Sequence, residues 1–270
     1  MNKNQVLRQR TMTAIVFGAI VLTLLLSGKL GAIILFVTIA IACSYEYVRM
    51  VFFKNNNRLL ISVSLTFVSI ALISSFHPES SLFYGLVIFS CVAMIAGIVH
   101  LFIPFINHKK TFWLVSICYF GLPLGLIISY VYHTDVYPKY LTIILISMIW
   151  VSDTFAYLFG SRIGRTKLLE HISPKKTWEG FIGGGVGTYI LGYIFSRYFD
   201  QLPLMFWMLT ATVVWIIGTF GDLVESSIKR KYDVKDSGKL LPGHGGIFDR
   251  FDSFIYILPF ILFLLLEFKF

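Results

Sequence analysis

The sequence has 270 residues, of which 57% are hydrophobic and only 14% charged. A soluble chain carries about 25% charged residues, because it must cover its surface with polar groups. So low a charge content excludes a soluble globular domain, and the formal charge of +9 has to be judged by where the basic residues fall before nucleic acid is invoked.

A helix needs roughly 20 apolar residues to cross the hydrocarbon core of a bilayer, and about nine stretches meet that need. In chain order they are 11–28, 31–52, 59–76, 82–105, 112–132, 140–160, 180–198, 204–221 and 251–268. The runs are continuous, whereas a membrane β-barrel shows short alternating segments. Helices satisfy their own backbone hydrogen bonds in lipid. The expected fold is therefore all-α: a polytopic integral membrane helical bundle with about nine transmembrane helices, forming one membrane domain over residues 1–270. Lys3, Arg8 and Arg10 precede the first run, as in a signal peptide, but no A-x-A-like site follows and apolar sequence resumes at Leu30, so a retained helix is expected. Cys43, Cys91 and Cys118 each lie inside an apolar stretch without metal spacing and read as small buried hydrophobes.

Alternating the spans from a cytoplasmic N-terminus leaves only Lys29, Lys139, Arg197 and Lys269, of 23 basic residues, on the outer side. This is the positive-inside asymmetry. It explains the positive charge without nucleic acid and puts the C-terminus outside. The expected location is the inner cell membrane, with the two long polar segments, about 161–179 and 222–250, facing the cytoplasm. Basic residues there also attract anionic membrane lipids.

Acids near a membrane are functional candidates by default. Glu46, in "CSYEYVRM", has Arg49 three residues on as a local partner. Asp153 follows a long apolar run, Asp222 follows "WMLTATVVWIIGTFG", and Asp249 and Asp252 open the last span. Three spans thus each bring a carboxylate toward the cytoplasmic side. Asp249 and Asp252 are three apart and share a helix face. Clustered carboxylates beside many Lys and Arg suit a hard cation and phosphates. Lys175 and Lys176 follow a Ser-Pro turn, and Gly183, Gly184, Gly185 and Gly187 open the next span. Their spacing fits neither a Walker A nor a dinucleotide motif, so close helix packing or phosphate approach both stay open. In "LPGHGGIFDRFD" the glycines and Pro242 make a tight polar backbone around His244, with no partner set for zinc.

The block Ser226-Ser227-Ile228-Lys229-Arg230, Lys235-Asp236, Gly238, Leu241-Pro242-Gly243-His244-Gly245-Gly246, Asp249-Arg250 and Asp252 resembles the signature of the phosphatidate cytidylyltransferases, also called CDP-diacylglycerol synthases. "SDTFAYLFG" and "SPKKTWEG" resemble the same family, so the specific likeness covers about 150–253. Before that, only the span layout and "YEYVRM" agree. The resemblance implies that CTP and phosphatidic acid give CDP-diacylglycerol and pyrophosphate, in phospholipid biosynthesis. It implies magnesium, with potassium beside it, on Asp222 and Asp249 with Asp252 in support.

On that basis Asp222, Lys229, Asp249 and Asp252 are the catalytic candidates, and Asp222, Asp249 and Asp252 the metal ligands. Lys175, Lys176, Arg230, Lys235, Asp236, His244, Gly245, Gly246, Arg250 and Asp153 are the substrate-binding candidates. Residues 1–140 are assigned to scaffold and to any homodimer contact, residues 141–270 to catalysis. Two other readings remain. A CTP-dependent polyprenol kinase-like enzyme would pass the γ-phosphate to an alcohol. A non-enzymatic ion transporter would carry its charges near the bilayer midplane, whereas here they crowd the cytoplasmic ends.

Overall fold

The computed structural model describes residues 3–53, 55–134 and 139–268. Lys54 and Lys269, and most of the outer turn expected at 133–139, lie outside the described residues. The elements run α1 (Lys3–Leu26), α2 (Lys29–Phe52), α3 (Asn56–Ile73), α4 (Ser81–Phe102), α5 (His108–Val115), α6 (Leu122–His133), α7 (Lys139–Ile163), α8 (Trp178–Tyr198), α9 (Leu204–Thr212), α10 (Thr219–Lys231) and α11 (Phe248–Glu267). Two π-helical turns, Ser116–Gly121 and Val213–Gly218, join α5 to α6 and α9 to α10 into continuous rods. Among the described residues there is no strand, only the isolated bridges Lys167–Thr177 and Leu241–Gly245.

Short polar side chains set several helix starts. Asn55, Ser80, Asn107 and Thr177 each accept a hydrogen bond from the backbone N–H three residues on, which satisfies a donor the helix itself leaves open. Helix runs through every predicted apolar stretch. Among the described residues, six helices are long and apolar enough to cross a membrane: Lys29–Phe52, Asn56–Ile73, Ser81–Phe102, His108–His133, Tyr140–Ile163 and Leu204–Lys231. That set is consistent with a multi-pass membrane protein. The three other predicted spans differ for plain reasons. The described apolar part of α1 is shorter, Thr11–Leu26. Glycines dilute α8, and Asp249, Arg250 and Asp252 open α11.

The structure also lengthens one element. The polar segment expected to begin at 222 is helical as far as Lys231. Leu223, Val224 and Ile228 bury one face there while the polar side chains take another, the pattern of an amphipathic helix.

α11 is the central post. It is buried along most of its length and packs on α2, α4, α6 and α10. α8 lies closely along α7, where a Cβ on Gly180 would fall 2.7 Å from the Ala156 carbonyl oxygen. Close approach of small residues is how membrane helices gain dispersion contact without a hydrophobic drive between them. In the N-terminal half, Ser44, Ser62, Thr66 and Ser116 form a buried hydroxyl network across α2, α3 and the first π turn, with Ser44 Oγ 3.0 Å from both Ser62 Oγ and Thr66 Oγ1.

Candidate active site

The site forms where α10, the start of α11 and the 164–177 segment meet. On α10 the order Asp222, Glu225, Ser226, Lys229 follows helical spacing, so all four share one face. α11 adds Asp249 from its first turn and Asp252 from its second. One carboxylate oxygen each from Asp222, Glu225 and Asp252 lies within 4.8 Å of the others.

Two lysines compensate part of this charge. Lys229, only 9% exposed, places Nζ 2.5 Å from Glu225 Oε2 and 2.8 Å from Asp249 Oδ1. Lys176 arrives from the 164–177 segment and pairs with Asp222 Oδ2. Burial draws the Lys176 ammonium downward, but Asp222 beside it, with Asp153 and Asp252, outweighs that and holds it above the ordinary lysine value. It therefore stays protonated through neutral pH.

Asp249 is held from both sides. Its Oδ2 accepts the backbone N–H of Ser237 at 2.9 Å and of Gly246 at 2.8 Å, while Lys229 donates to Oδ1. Asp252 Oδ1 accepts from Ser253 N at 2.6 Å, and Ser226 Oγ donates to Asp222 Oδ1 at 3.3 Å. The loop before α11 is folded for this purpose. Gly245 has φ +86°, a conformation L side chains rarely adopt, and a Cβ there would sit 2.6 Å from Asp249 Oδ2. Arg250 clasps the same loop, donating through Nε and Nη2 to the His244 carbonyl at 3.1 and 2.8 Å.

The structure thus brings together Asp222, Asp249, Asp252, Lys229 and Lys176, with His244, Gly245, Gly246 and Arg250 in the adjoining loop. Asp153 on α7 faces this group, subject to the charges of Asp222, Lys176 and Arg250. Among the other predicted residues, Asp236 adjoins the Gly245 turn, its Cβ 3.4 Å from where a Cβ on Gly245 would sit. Arg230 donates to the Ile172 and Val234 carbonyls, and Lys175, Lys235 and Asp236 are exposed.

Two acids had gone unassigned to the site in the sequence. Glu225 is 0% exposed and completes the trio with Asp222 and Asp252. Its i+3 spacing from Asp222 and i−4 spacing from Lys229 were the available signal. Glu46 does not pair with Arg49, which donates to Tyr45 Oη at 3.1 Å and to the Phe53 carbonyl at 3.4 Å. Instead Glu46 reaches the loop before α11.

The donor set suits a hard cation. Asp222, Glu225, Asp249 and Asp252 offer four carboxyl groups against the two ammonium groups of Lys176 and Lys229. Glu225 Oε1 is buried with no hydrogen-bond donor among the described residues, while Oε2 meets the Lys229 ammonium. Oxygen-only ligands with residual negative charge are what magnesium and potassium-class cations take.

Beside this polar group, an apolar cleft of about 350 Å³ runs between α1, α7 and α11. Phe17, Val21, Leu25, Trp150 and Phe254 line it, and His244 and Arg250 stand at its polar end. Thr13 Oγ1 donates to the Pro242 carbonyl at 2.9 Å and ties α1 to that end.

Residues 8–268 match the model of the cytidylyltransferase family. The chain is 35% identical over 268 residues to a phosphatidate cytidylyltransferase of Staphylococcus haemolyticus, an alignment covering 97% of this chain and 100% of that one. It is 34% identical over 272 residues to a Bacillus subtilis protein of the same name, covering 97% and 99%. A Staphylococcus aureus protein of that name is 34% identical over 266 residues, covering 97% and 100%.

Proposed function

This chain belongs to the cytidylyltransferase family, and we propose that its acidic site transfers a cytidylyl group from CTP to phosphatidic acid, giving CDP-diacylglycerol and pyrophosphate for phospholipid biosynthesis. A phosphate oxygen of the lipid forms a bond to the α-phosphorus of CTP. The bond from that phosphorus to the bridging oxygen of the β-phosphate breaks, and the electron pair leaves with pyrophosphate. The attacking phosphate is already an anion near neutral pH, so no dedicated base is needed. Bringing two anions together is the obstacle, and positioning with charge neutralisation is the remedy.

Asp222, Glu225, Asp249 and Asp252 would hold magnesium. Since magnesium uses only one or two carboxylates, four leave room for potassium as a second cation. Bound there, magnesium supplies neutralisation of the CTP phosphates and of the departing charge. Lys176 and Lys229 orient Asp222, Glu225 and Asp249 through their ion pairs. Arg250 and His244 take substrate phosphate at the mouth of the cleft, with Gly245 and Gly246 shaping the loop that carries His244. Lys175, Arg230, Lys235 and Asp236 form its outer approach, and Asp153 borders it.

The apolar cleft receives the lipid chains. From Thr13 to Leu25 it follows twelve residues of α1, or about 18 Å at 1.5 Å per residue, enough for much of an acyl chain. In the membrane we place the N-terminus in the cytoplasm and count α1, α8 and α11 as spans with the six rods named above, which gives nine spans and an outer C-terminus in the cell membrane. The distribution of Lys and Arg supports this orientation. The first 140 residues serve as scaffold and as any homodimer contact.

The observation that carries this reading is the convergence of acids and lysines from three elements beside an apolar cleft. The test is purified protein with phosphatidic acid, Mg²⁺ and α-labelled CTP. Label is expected in lipid, and Asp249→Asn is expected to lower turnover by about 10²–10³, the usual loss for one preorganised electrostatic group. Label entering lipid only from the γ position would point instead to kinase chemistry. Near-normal turnover by Asp249→Asn would remove that residue from the reaction.

A further inference from the structure

Glu46 takes no part in the reaction described above. It lies on α2, in the half of the chain without a catalytic motif, and is 2% exposed. Its Oε2 accepts hydrogen bonds from Ser237 Oγ and from Phe248 N, both at 2.9 Å. Both donors belong to the segment that delivers Asp249. Phe248 N is one of the first N–H groups of α11, which no helix neighbour can satisfy, and the residue before it, Ile247, offers no side-chain cap. Glu46 fills that role from a distant helix.

Ser237 is in turn bonded to Asp249 twice. Its N–H donates to Asp249 Oδ2 at 2.9 Å, and its Oγ accepts from Asp249 N at 3.3 Å. The loop backbone is fitted around the same carboxylate. A Cβ on Gly246 would collide with Glu46 Oε2 and Ser237 Oγ, and one on Gly238 would collide with Glu46 Oε1. A buried carboxylate is an expensive way to fill a helix contact, since an apolar side chain would pack there without desolvating a charge. The arrangement makes sense if the carboxylate's task is to fix the loop.

We propose that Glu46 is a positioning residue for Asp249, acting through Ser237 and the first turn of α11 to hold the 237–248 segment against α10. It does not touch substrate. The activity readouts below rest on the proposed reaction, whereas the exchange readout does not.

The experiment compares Glu46→Ala, Glu46→Gln, Ser237→Ala and the Glu46→Ala/Ser237→Ala double variant, each full length in detergent and checked for a wild-type melting transition. Glu46→Ala is expected to lower kcat on the order of 100-fold, the loss that follows a displacement of about 1 Å in a catalytic group. Glu46→Gln, whose amide oxygen accepts both hydrogen bonds, is expected to recover activity to within roughly fivefold of wild type. The double variant is expected to lose no more than about twofold beyond Glu46→Ala, because both changes cut one chain of contacts. Amide hydrogen exchange over 237–248 should speed up in Glu46→Ala and not in Glu46→Gln.

Wild-type turnover by Glu46→Ala overturns the proposal. So does Glu46→Gln being as slow as Glu46→Ala, which would give the charge itself the role, and so do fully multiplicative losses in the double variant. If Glu46→Ala does not fold, Ser237→Ala and Gly238→Ala leave the carboxylate in place and disturb only its seat. Both are then expected to turn over roughly tenfold more slowly, with faster exchange in the segment. Normal values for both would overturn the proposal. If wild-type protein puts no α-label into lipid, the proposed reaction fails, and the exchange comparison still decides whether Glu46 seats the segment.

Discussion

The two polar segments, 164–177 and 232–247, contribute to one site in opposite ways. The first is tied into a small hairpin: Leu168 N donates to the Lys176 carbonyl at 3.0 Å, Trp178 N donates to the Thr166 carbonyl at 2.9 Å, and Glu179 accepts from Thr166 N. From that frame it sends one ammonium group, Lys176, to Asp222. The second segment sends no charge into the cluster. It gives backbone N–H groups, from Ser237 and Gly246, that grip Asp249. One segment supplies charge and the other supplies geometry. A side-chain deletion should therefore be felt through electrostatics in the first and through backbone conformation in the second.

The largest effect is expected where the two contributions meet, at Lys229. Replacing it with Met leaves Glu225 and Asp249 buried without their shared cation. Removing one partner of a buried ion pair destabilises by about 3–5 kcal/mol. Thermal unfolding in detergent should show a lower Tm, and Mg²⁺ should restore part of it. An unchanged Tm would mean the two carboxylates are compensated elsewhere.

A smaller effect tests the geometric segment. Gly245→Ala keeps every charge but forces a side chain into the left-handed region, at about 1–2 kcal/mol, and against Asp249 Oδ2. Stability is expected to fall by about that energy, and turnover roughly tenfold because the Cβ displaces Asp249. Wild-type kinetics in this variant would mean that the loop relaxes without moving Asp249.

The smallest effect tests the electrostatic segment. Lys176 has its folded pKa raised above 10.5, so the stability it contributes is fully present below that value and is lost only as pH rises through the raised one. Its pairing should add no inflection to the activity profile between about pH 6 and 9. Exposed Lys175 should tolerate Ala with turnover within about twofold, in the manner of an exposed charge. A neutral-range inflection abolished by Lys176→Met would contradict the assignment of charge to that segment.

What the chain itself made legible follows from the range of each interaction. The apolar runs showed where helix would form, because lipid demands about twenty residues and internal backbone bonding. Asp222, Asp249, Asp252, Lys229 and Lys176 could be singled out because a charge is conspicuous beside a span. Glu225 draws no attention because it stands one residue before the block that begins at Ser226, although helical spacing puts it on the face of Asp222. Glu46 had an obvious local partner in Arg49, and only tertiary packing shows that its partners lie near residue 240. The π turns leave no mark in "SICYFG" or "VVWIIG" that separates them from ordinary helix.

The second of those turns has a consequence for how the enzyme can vary. A residue added to or taken from a helical rod swings everything beyond it by about 100° around the axis. Val213–Gly218 lies immediately before α10. Its wider winding, latched to α11 by the Ser253 hydroxyl on the Gly218 carbonyl at 2.9 Å, acts as an angular setting for the rod that follows. Point changes on its lipid side leave that setting alone, whereas a single-residue deletion there would turn Asp222 and Glu225 away from Asp252 without altering one acidic side chain.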